Sequence, residues 1–104
     1  MNNQPCMKML KALADATRWR IVGELLPAML SMGALSERLD VSHYNISKHV
    51  RILREAGIVT TQRAGKTVVC GIAPKLRQQV RAGEPVLDLG CCTFRFDQPP
   101  HGGD

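Results

Sequence analysis

Residues 33–66 read GALSERLDVSHYNISKHVRILREAGIVTTQRAGK, and few folds accommodate that order of signals. Residues 34–39 form a short helix, with Leu35 and Leu39 four apart on one side. Asp40 and Val41 make a tight turn. Ser42 then stands as the N-cap of a longer helix running to about residue 56, because its hydroxyl can accept from an orphan backbone N–H. In that helix Ile46, His49, Val50 and Leu53 share one face. Tyr44, Ser47, Lys48, Arg51 and Arg54 share the other. Gly57 stops the helix. Residues 58–63 and 67–72 are rich in β-branched side chains, as strands prefer. Ala64, Gly65 and Lys66 join them in a hairpin that carries Arg63 and Lys66 at its tip. The spacing predicts an α+β, mainly helical fold: a helix-turn-helix followed by a two-stranded wing. A helix with an apolar back and a basic, hydroxyl-rich front suits the major groove of duplex DNA. Ser42, His43, Tyr44, Ser47, Lys48, Arg51, Arg63 and Lys66 are the expected DNA-contacting residues.

Charge is placed to match. The net charge is +5 over 104 residues. Residues 42–81 hold eight Lys and Arg against the single acid Glu55, whereas residues 84–104 hold four acids against Arg95 alone. A basic stripe confined to the reading segment is the footprint of a phosphate-binding surface. The length suits one domain with a modest core, and the 44% hydrophobic fraction is ordinary for a globular chain. With only four aromatic residues, that core must be built from Leu, Ile, Val, Met and Ala.

The flanking segments complete the layout. Residues 6–14 form a first helix with Met7, Leu10, Leu13 and Ala14 on one stripe. Asp15 caps a second helix that carries Trp19, Val22, Leu25, Leu26 and Met29. Pro27 ends or kinks it, having no N–H to donate and crowding the preceding turn. Ser31 and Met32 are a short strand that pairs with the wing. Pro74 opens a further helix over 75–82, closed by Gly83. Residues 86–96 read as extended, and the Pro- and Gly-containing residues 98–104 as a disordered tail. The expected organisation is a DNA-binding and dimerisation domain over 1–83, an extended segment over 84–97, and the tail. No apolar run nears the ~20 residues of a membrane span, and no leader is visible, so a cytoplasmic location with reduced cysteines is expected.

Residues 12–73 resemble the ArsR/SmtB family of winged-helix repressors. Ala12-Leu13-Ala14-Asp15-Ala16-Thr17-Arg18 is similar to the family's entry motif, with Ala16 where proline is usual. Val41-Ser42, Ile46-Ser47-Lys48-His49-Val50 and Leu53-Arg54-Glu55-Ala56-Gly57-Ile58-Val59 follow its recognition-helix pattern. The resemblance implies a homodimer that binds double-stranded operator DNA and lets go when a metal, metalloid or other signal arrives. It further implies an interface built from the first helix and the 75–82 helix. The family's Cys-Val-Cys element near the reading helices has no counterpart here, since Pro27, Ala28, Met29, Leu30, Ser31 and Met32 occupy that region.

Ligand chemistry then falls to the adjacent Cys91 and Cys92. Thiolates are soft donors and select soft ions. Trivalent arsenic or antimony bonds two or three thiolates in a pyramid, which makes As(III) or Sb(III) the expected inducer; no obligatory cofactor is expected. The pair is similar to the C-terminal thiol sites of other metalloid-responsive members. Successive strand residues point to opposite faces. Either Gly90 distorts the segment, therefore, or two chains each supply a sulfur. The opposing reading is that the pair is packing, a frequent use of cysteine. Cys6 and Cys70 are possible third ligands, with Cys70 more at home in the core beside Val68 and Ile72. His49 can hydrogen-bond behind the reading helix, and His101 has no expected role. Paired carboxylates, phosphate loops and triad patterns are absent, so catalysis is not expected. Two other functions stay open: a redox-responsive repressor using the same cysteines, and a winged helix for protein–protein binding without DNA.

Overall fold

A computed structural model describes residues 4–77 and 84–97. The chain runs α1 (Gln4–Leu13), α2 (Ala16–Leu25), β1 (Leu30–Ser31), α3 (Met32–Leu39), α4 (His43–Glu55), β2 (Val59–Ala64), β3 (Thr67–Ile72), α5 (Pro74–Arg77), β4 (Val86–Asp88) and β5 (Thr93–Arg95). Helices α1 to α4 and the strands wrap one core. Ile21, Val22, Leu25, Leu35, Ile46, Leu53, Ile58 and Leu87 are nearly or fully excluded from solvent there. No buried polar or charged residue interrupts it among the described residues. Burying such side chains contributes about 1.5–3 kcal/mol each against leaving them exposed.

Local signals set the helix ends. Asp15, in an extended conformation, accepts from Arg18 N at 3.0 Å and starts α2. That bond, ahead of the nearby Arg18 and His49 charges, holds the Asp15 carboxyl below the usual carboxylate range. At the other end α2 stops at Leu25, two residues short of Pro27. Arg77 closes it, donating from one guanidinium nitrogen to Leu25 O and Leu26 O, each at 2.9 Å. Those carbonyls have no partner within the helix, so a cation on them satisfies both hydrogen bonding and the helix dipole.

Two antiparallel sheets follow. One has strand order β1-β3-β2, with Leu30 opposite Cys70 and Ser31 opposite Val69. The expected short strand therefore sits one residue earlier than 31–32, because Ser31 also caps α3 by accepting from Ala34 N at 3.0 Å, which puts Met32 into the helix. In the wing, Ala64 pairs with Thr67, so the turn is the two residues Gly65 and Lys66 rather than three.

The second sheet corrects the expectation of a plain extended segment over 86–96. β4 and β5 pair as a hairpin, Val86 with Arg95, Leu87 with Phe94 and Asp88 with Thr93. Gly90 makes the turn possible at φ 93°, where a side chain is disfavoured. Leu89 N donates to Cys92 O at 2.9 Å and Gly90 N to Asp88 Oδ1 at 2.8 Å. Alternation then sends Leu87 and Leu89 into the core. Across from them, Phe96 stacks on Trp19 with ring centroids 4.1 Å apart, and Phe94 meets the same indole edge-on at 5.6 Å. Gly23 gives Phe96 room, since a Cβ there would lie 3.3 Å from the ring.

α1 also departs from its expected stripe. Leu13 is buried, and Cys6, Met9 and Leu10 pack against the core, whereas Met7 is half exposed and Ala14 faces solvent. The inward face is rotated from the expected one because the hairpin covers the Cys6 side of the helix. Of the helix expected over 75–82, Pro74–Arg77 is seen as α5, and the rest lies outside the described residues, as does the tail over 98–104. No helix among the described residues is long and apolar enough to cross a membrane.

Candidate DNA interface and cysteine cluster

The reading head is built from α3, a turn and α4. Asp40 closes α3 in the left-handed region at φ 54°, a conformation aspartate tolerates better than most residues. Ser36 Oγ donates to Val41 O at 2.6 Å and fixes the turn. Ser42 caps α4, accepting from Asn45 N at 3.2 Å. Ile46, Val50 and Leu53 anchor α4 in the core. Its other face is free: Ser42, His43, Tyr44, Ser47, Lys48 and Arg51 are all exposed, Tyr44 by 73%.

Within that face, Lys48 Nζ lies 5.6 Å from the Tyr44 ring centroid, and Arg51 Nε lies 3.3 Å from a Glu55 carboxylate oxygen. Both contacts are solvent-exposed and weak, so either cation can exchange its neighbour for a phosphate. Arg54 reaches across to Thr61 Oγ1 at 3.4 Å, joining α4 to the wing. At the wing tip Arg63 and Lys66 are exposed. A cleft of ≈ 300 Å³ between wing and helices is lined by Ser31, Met32, Gly33, His43, Lys66, Thr67 and Val68, so His43 and Lys66 converge on one concave surface.

Behind α4, His49 does not enter the core. Arg18 holds its Nδ1 at 3.1 Å and Asp15 lies 3.8 Å away. The same Arg18 donates from Nε to Ala12 O. One side chain thus ties the end of α1 to the middle of the reading helix. Arg18 shares α2 with Arg20 and Glu24, and spacing alone did not reveal its partners.

The cysteines sort into two groups. Cys70 lies fully inside the core, and burial pushes its thiol up to about 11. The sulfurs that gather are those of Cys6, Cys91 and Cys92, and Cys70 is not among them. Iodoacetamide applied to the folded, reduced protein at pH 8 is expected to modify Cys91 and Cys92 long before Cys70, since the thiolate is the reactive form. Equal rates, measured by peptide mass mapping, would contradict that burial.

Cys6, Cys91 and Cys92 come together, their sulfurs all within 4.8 Å of one another. Cys91 and Cys92 do not lie along a strand; they sit at the hairpin turn, where Gly90 bends the chain and lets both sulfurs reach the same side, 3.7 Å apart. Cys6, from α1, lies against Cys91, with the Cα atoms 6.4 Å apart. The three sulfurs of this cluster belong to one chain.

A family model described as a helix-turn-helix domain matches residues 13–62. The transcriptional activator HlyU of Vibrio cholerae is 39% identical over 67 residues, 64% of this chain and 62% of that protein. Its solved structure superposes with a TM-score of 0.69 at 33% identity, covering 75% of this chain and 86% of that one. The transcriptional repressor SmtB of Mycobacterium tuberculosis is 35% identical over 66 residues, 64% of this chain and 49% of SmtB. The chain belongs to the ArsR/SmtB family. A further solved relative, described as a possible transcriptional regulator for arsenical resistance, is 31% identical with a TM-score of 0.63, covering 65% of this chain and 71% of that one. The ArsR/SmtB relatives found are transcription regulators rather than enzymes, and the fold is their winged helix-turn-helix. The match spans about three-fifths of the length of HlyU and half that of SmtB.

Proposed function

We propose that the chain is a homodimeric transcriptional repressor that binds a pseudo-palindromic operator and is released by trivalent arsenic or antimony held by Cys6, Cys91 and Cys92. The gathering of three sulfurs within 4.8 Å, outside the reading head, carries the ligand half of the reading. Three thiolates from one chain match the pyramidal demand of a trivalent metalloid, and their softness disfavours hard cations. The solved relative described as a possible regulator for arsenical resistance adds support.

DNA binding rests on the exposed front of α4 and the basic wing tip. Tyr44 and Ser47 lie near the start of α4, where helix-turn-helix proteins meet base edges. Replacing either with Ala is expected to alter operator preference by roughly 1–3 kcal/mol per lost base contact. Equal weakening on selected and random duplexes would assign them to the backbone. Arg63 and Lys66 are assigned to phosphates. Arg63→Ala or Lys66→Ala should weaken binding to all sequences and lower the slope of log K against log salt by about 1 each. An unchanged slope in both variants would remove the wing from the interface.

Release follows from linkage. A ligand that binds one dimer conformation better shifts the population toward it by its differential affinity. Drawing Cys6 toward the hairpin acts on the start of α1. The far end of α1 is joined through Ala12 O and Arg18 to His49 on α4. A small tilt of α1 therefore reorients the reading helix, whose spacing from its partner must match half-sites about one helical turn apart. The test is release of a bound duplex across arsenite, antimonite, zinc and cadmium. Release by the first two at low concentration supports the reading, and release by zinc alone overturns it.

A further inference from the structure

We infer that Asp15, Arg18 and His49 position the reading helix through a proton-dependent exchange: a neutral His49 holds α4 to α1 by way of Arg18, and a protonated His49 leaves Arg18 for Asp15 and loosens the grip on DNA. This rests on the reading of α4 as the DNA-contacting helix, and it adds acidity as a signal that acts on that helix from behind.

The three side chains meet on the inner side of α4. Arg18 Nη1 lies 3.1 Å from His49 Nδ1, and Asp15 Oδ2 lies 3.8 Å from the same nitrogen. The two partners make opposite demands. A guanidinium has only N–H groups to offer, so it needs a ring nitrogen with a free lone pair. A carboxylate has only lone pairs, so it needs an N–H. Nδ1 cannot satisfy both at once. A protonated ring carries an N–H on each nitrogen and a positive charge, so it repels Arg18 and attracts Asp15. Asp15 stays a carboxylate throughout, because the bond from Arg18 N, ahead of the nearby charges, holds it below the usual range. A quarter of the His49 side chain is exposed, which gives protons access.

No other charge competes for the ring. Helices α1, α2 and α3 and strand β2 pack on α4. The charged groups against His49 both come from the start of α2, namely Asp15 and Arg18. α1 reaches it only through Ala12 O, which accepts from Arg18 Nε. Among the described residues no ion pair or hydrogen bond joins His49 to α3 or β2. Its neighbours Lys48 and Arg51 are exposed on the outer face.

Arg18 therefore grips the end of α1 and the middle of α4 together, and the exchange breaks that grip. Ile46, Val50 and Leu53 still hold α4 in the core, so the helix is loosened rather than unfolded. His49 is neutral in the DNA-competent arrangement. Affinity is thus full above the range in which histidine titrates and falls as pH drops through it, with one proton released per protomer on binding. His43, exposed at the start of α4, has the opposite sign, since protonation there adds a cation facing phosphate.

The test separates the two histidines. Duplex binding is followed by fluorescence anisotropy at fixed salt from pH 8 to pH 5.5, using a duplex selected from a random library. The proteins are the full chain carrying His43→Gln, alone and combined with His49→Gln or Asp15→Asn. His43→Gln is expected to lose affinity by on the order of tenfold between pH 7.5 and pH 5.5. Adding His49→Gln, whose amide oxygen can accept from Arg18 at any pH, should hold affinity within about twofold across that interval. Asp15→Asn still caps α2 but withdraws the charge that draws off the protonated ring, so the loss should move to lower pH. In the wild type, ring-nitrogen NMR should show His49 Nδ1 passing from bare to protonated over the pH interval in which affinity falls. An acid loss that survives His49→Gln, or an Nδ1 that carries a proton at every pH, would overturn the inference. Binding that is tight and independent of pH in the His43→Gln protein overturns it alone, whereas absence of duplex binding at every pH overturns the DNA reading and the inference with it.

Discussion

Serine at both Cys91 and Cys92 is expected to abolish release from DNA by arsenite or antimonite, while operator affinity changes by less than about 0.5 kcal/mol, roughly twofold. The first half follows from chemistry. A serine hydroxyl is hard and stays protonated at neutral pH, so only Cys6 remains as a thiolate in the cluster. The second half follows from position. The hairpin turn is exposed and lies on α1, whereas the reading face belongs to α4 and the wing. Fluorescence anisotropy of a labelled duplex, titrated with protein and then with arsenite, reads both halves. Undiminished release in the double variant would move the ligand site elsewhere.

Trp19→Ala is expected to carry the largest stability cost of any single change on the hairpin's dock, about 3 kcal/mol, a large share of the 5–15 kcal/mol typical of a domain. The indole is gripped on its face by Phe96 and on its edge by Phe94. Removing it leaves both rings without a partner and opens a cavity against α2. Because those rings sit just past the cysteine turn, the same change should weaken metalloid binding in the reduced protein by loosening the hairpin that presents two of the three sulfurs. Urea unfolding reads the first effect and arsenite titration the second. A cost below about 1 kcal/mol would mean the hairpin is held mainly by Leu87 and Leu89.

The reading head was legible because each of its signals is local. Ser42 and Asp15 are caps whose partner lies three residues on. Asp40 and Gly57 take positive φ where the chain must turn, and the Ile46, Val50, Leu53 stripe needs only helical periodicity. The C-terminal segment was harder. Alternation in 86–96 marks strands, but pairing them with each other depends on Gly90 and on the Asp88 side chain closing the turn. Nothing local in the sequence says that the turn docks on α1. That contact joins residues 85 apart, and it decides both which sulfurs meet and which face of α1 is inward. Cys70 was legible as a core residue from its parity with Val68 and Ile72, whereas the place of Cys6 beside the turn had no local signal. Arg18 and Arg77 were missed as organisers for a related reason. Each binds carbonyls or a ring on another element, and a charge in a helical pattern reads first as a solvated one.

The central claim is that an exposed basic helix and wing read duplex DNA and that a thiophilic ligand at the cysteine cluster ends the interaction. One measurement addresses it directly: binding of the reduced protein to a duplex selected from a random library, followed across salt concentration, with arsenite then added at fixed salt. The account predicts preference for the selected over a scrambled duplex, log K falling steeply and linearly with log salt, and full release as arsenite saturates Cys6, Cys91 and Cys92. Failure of repeated selection to enrich any duplex, together with no salt-dependent binding at low ionic strength, would contradict it.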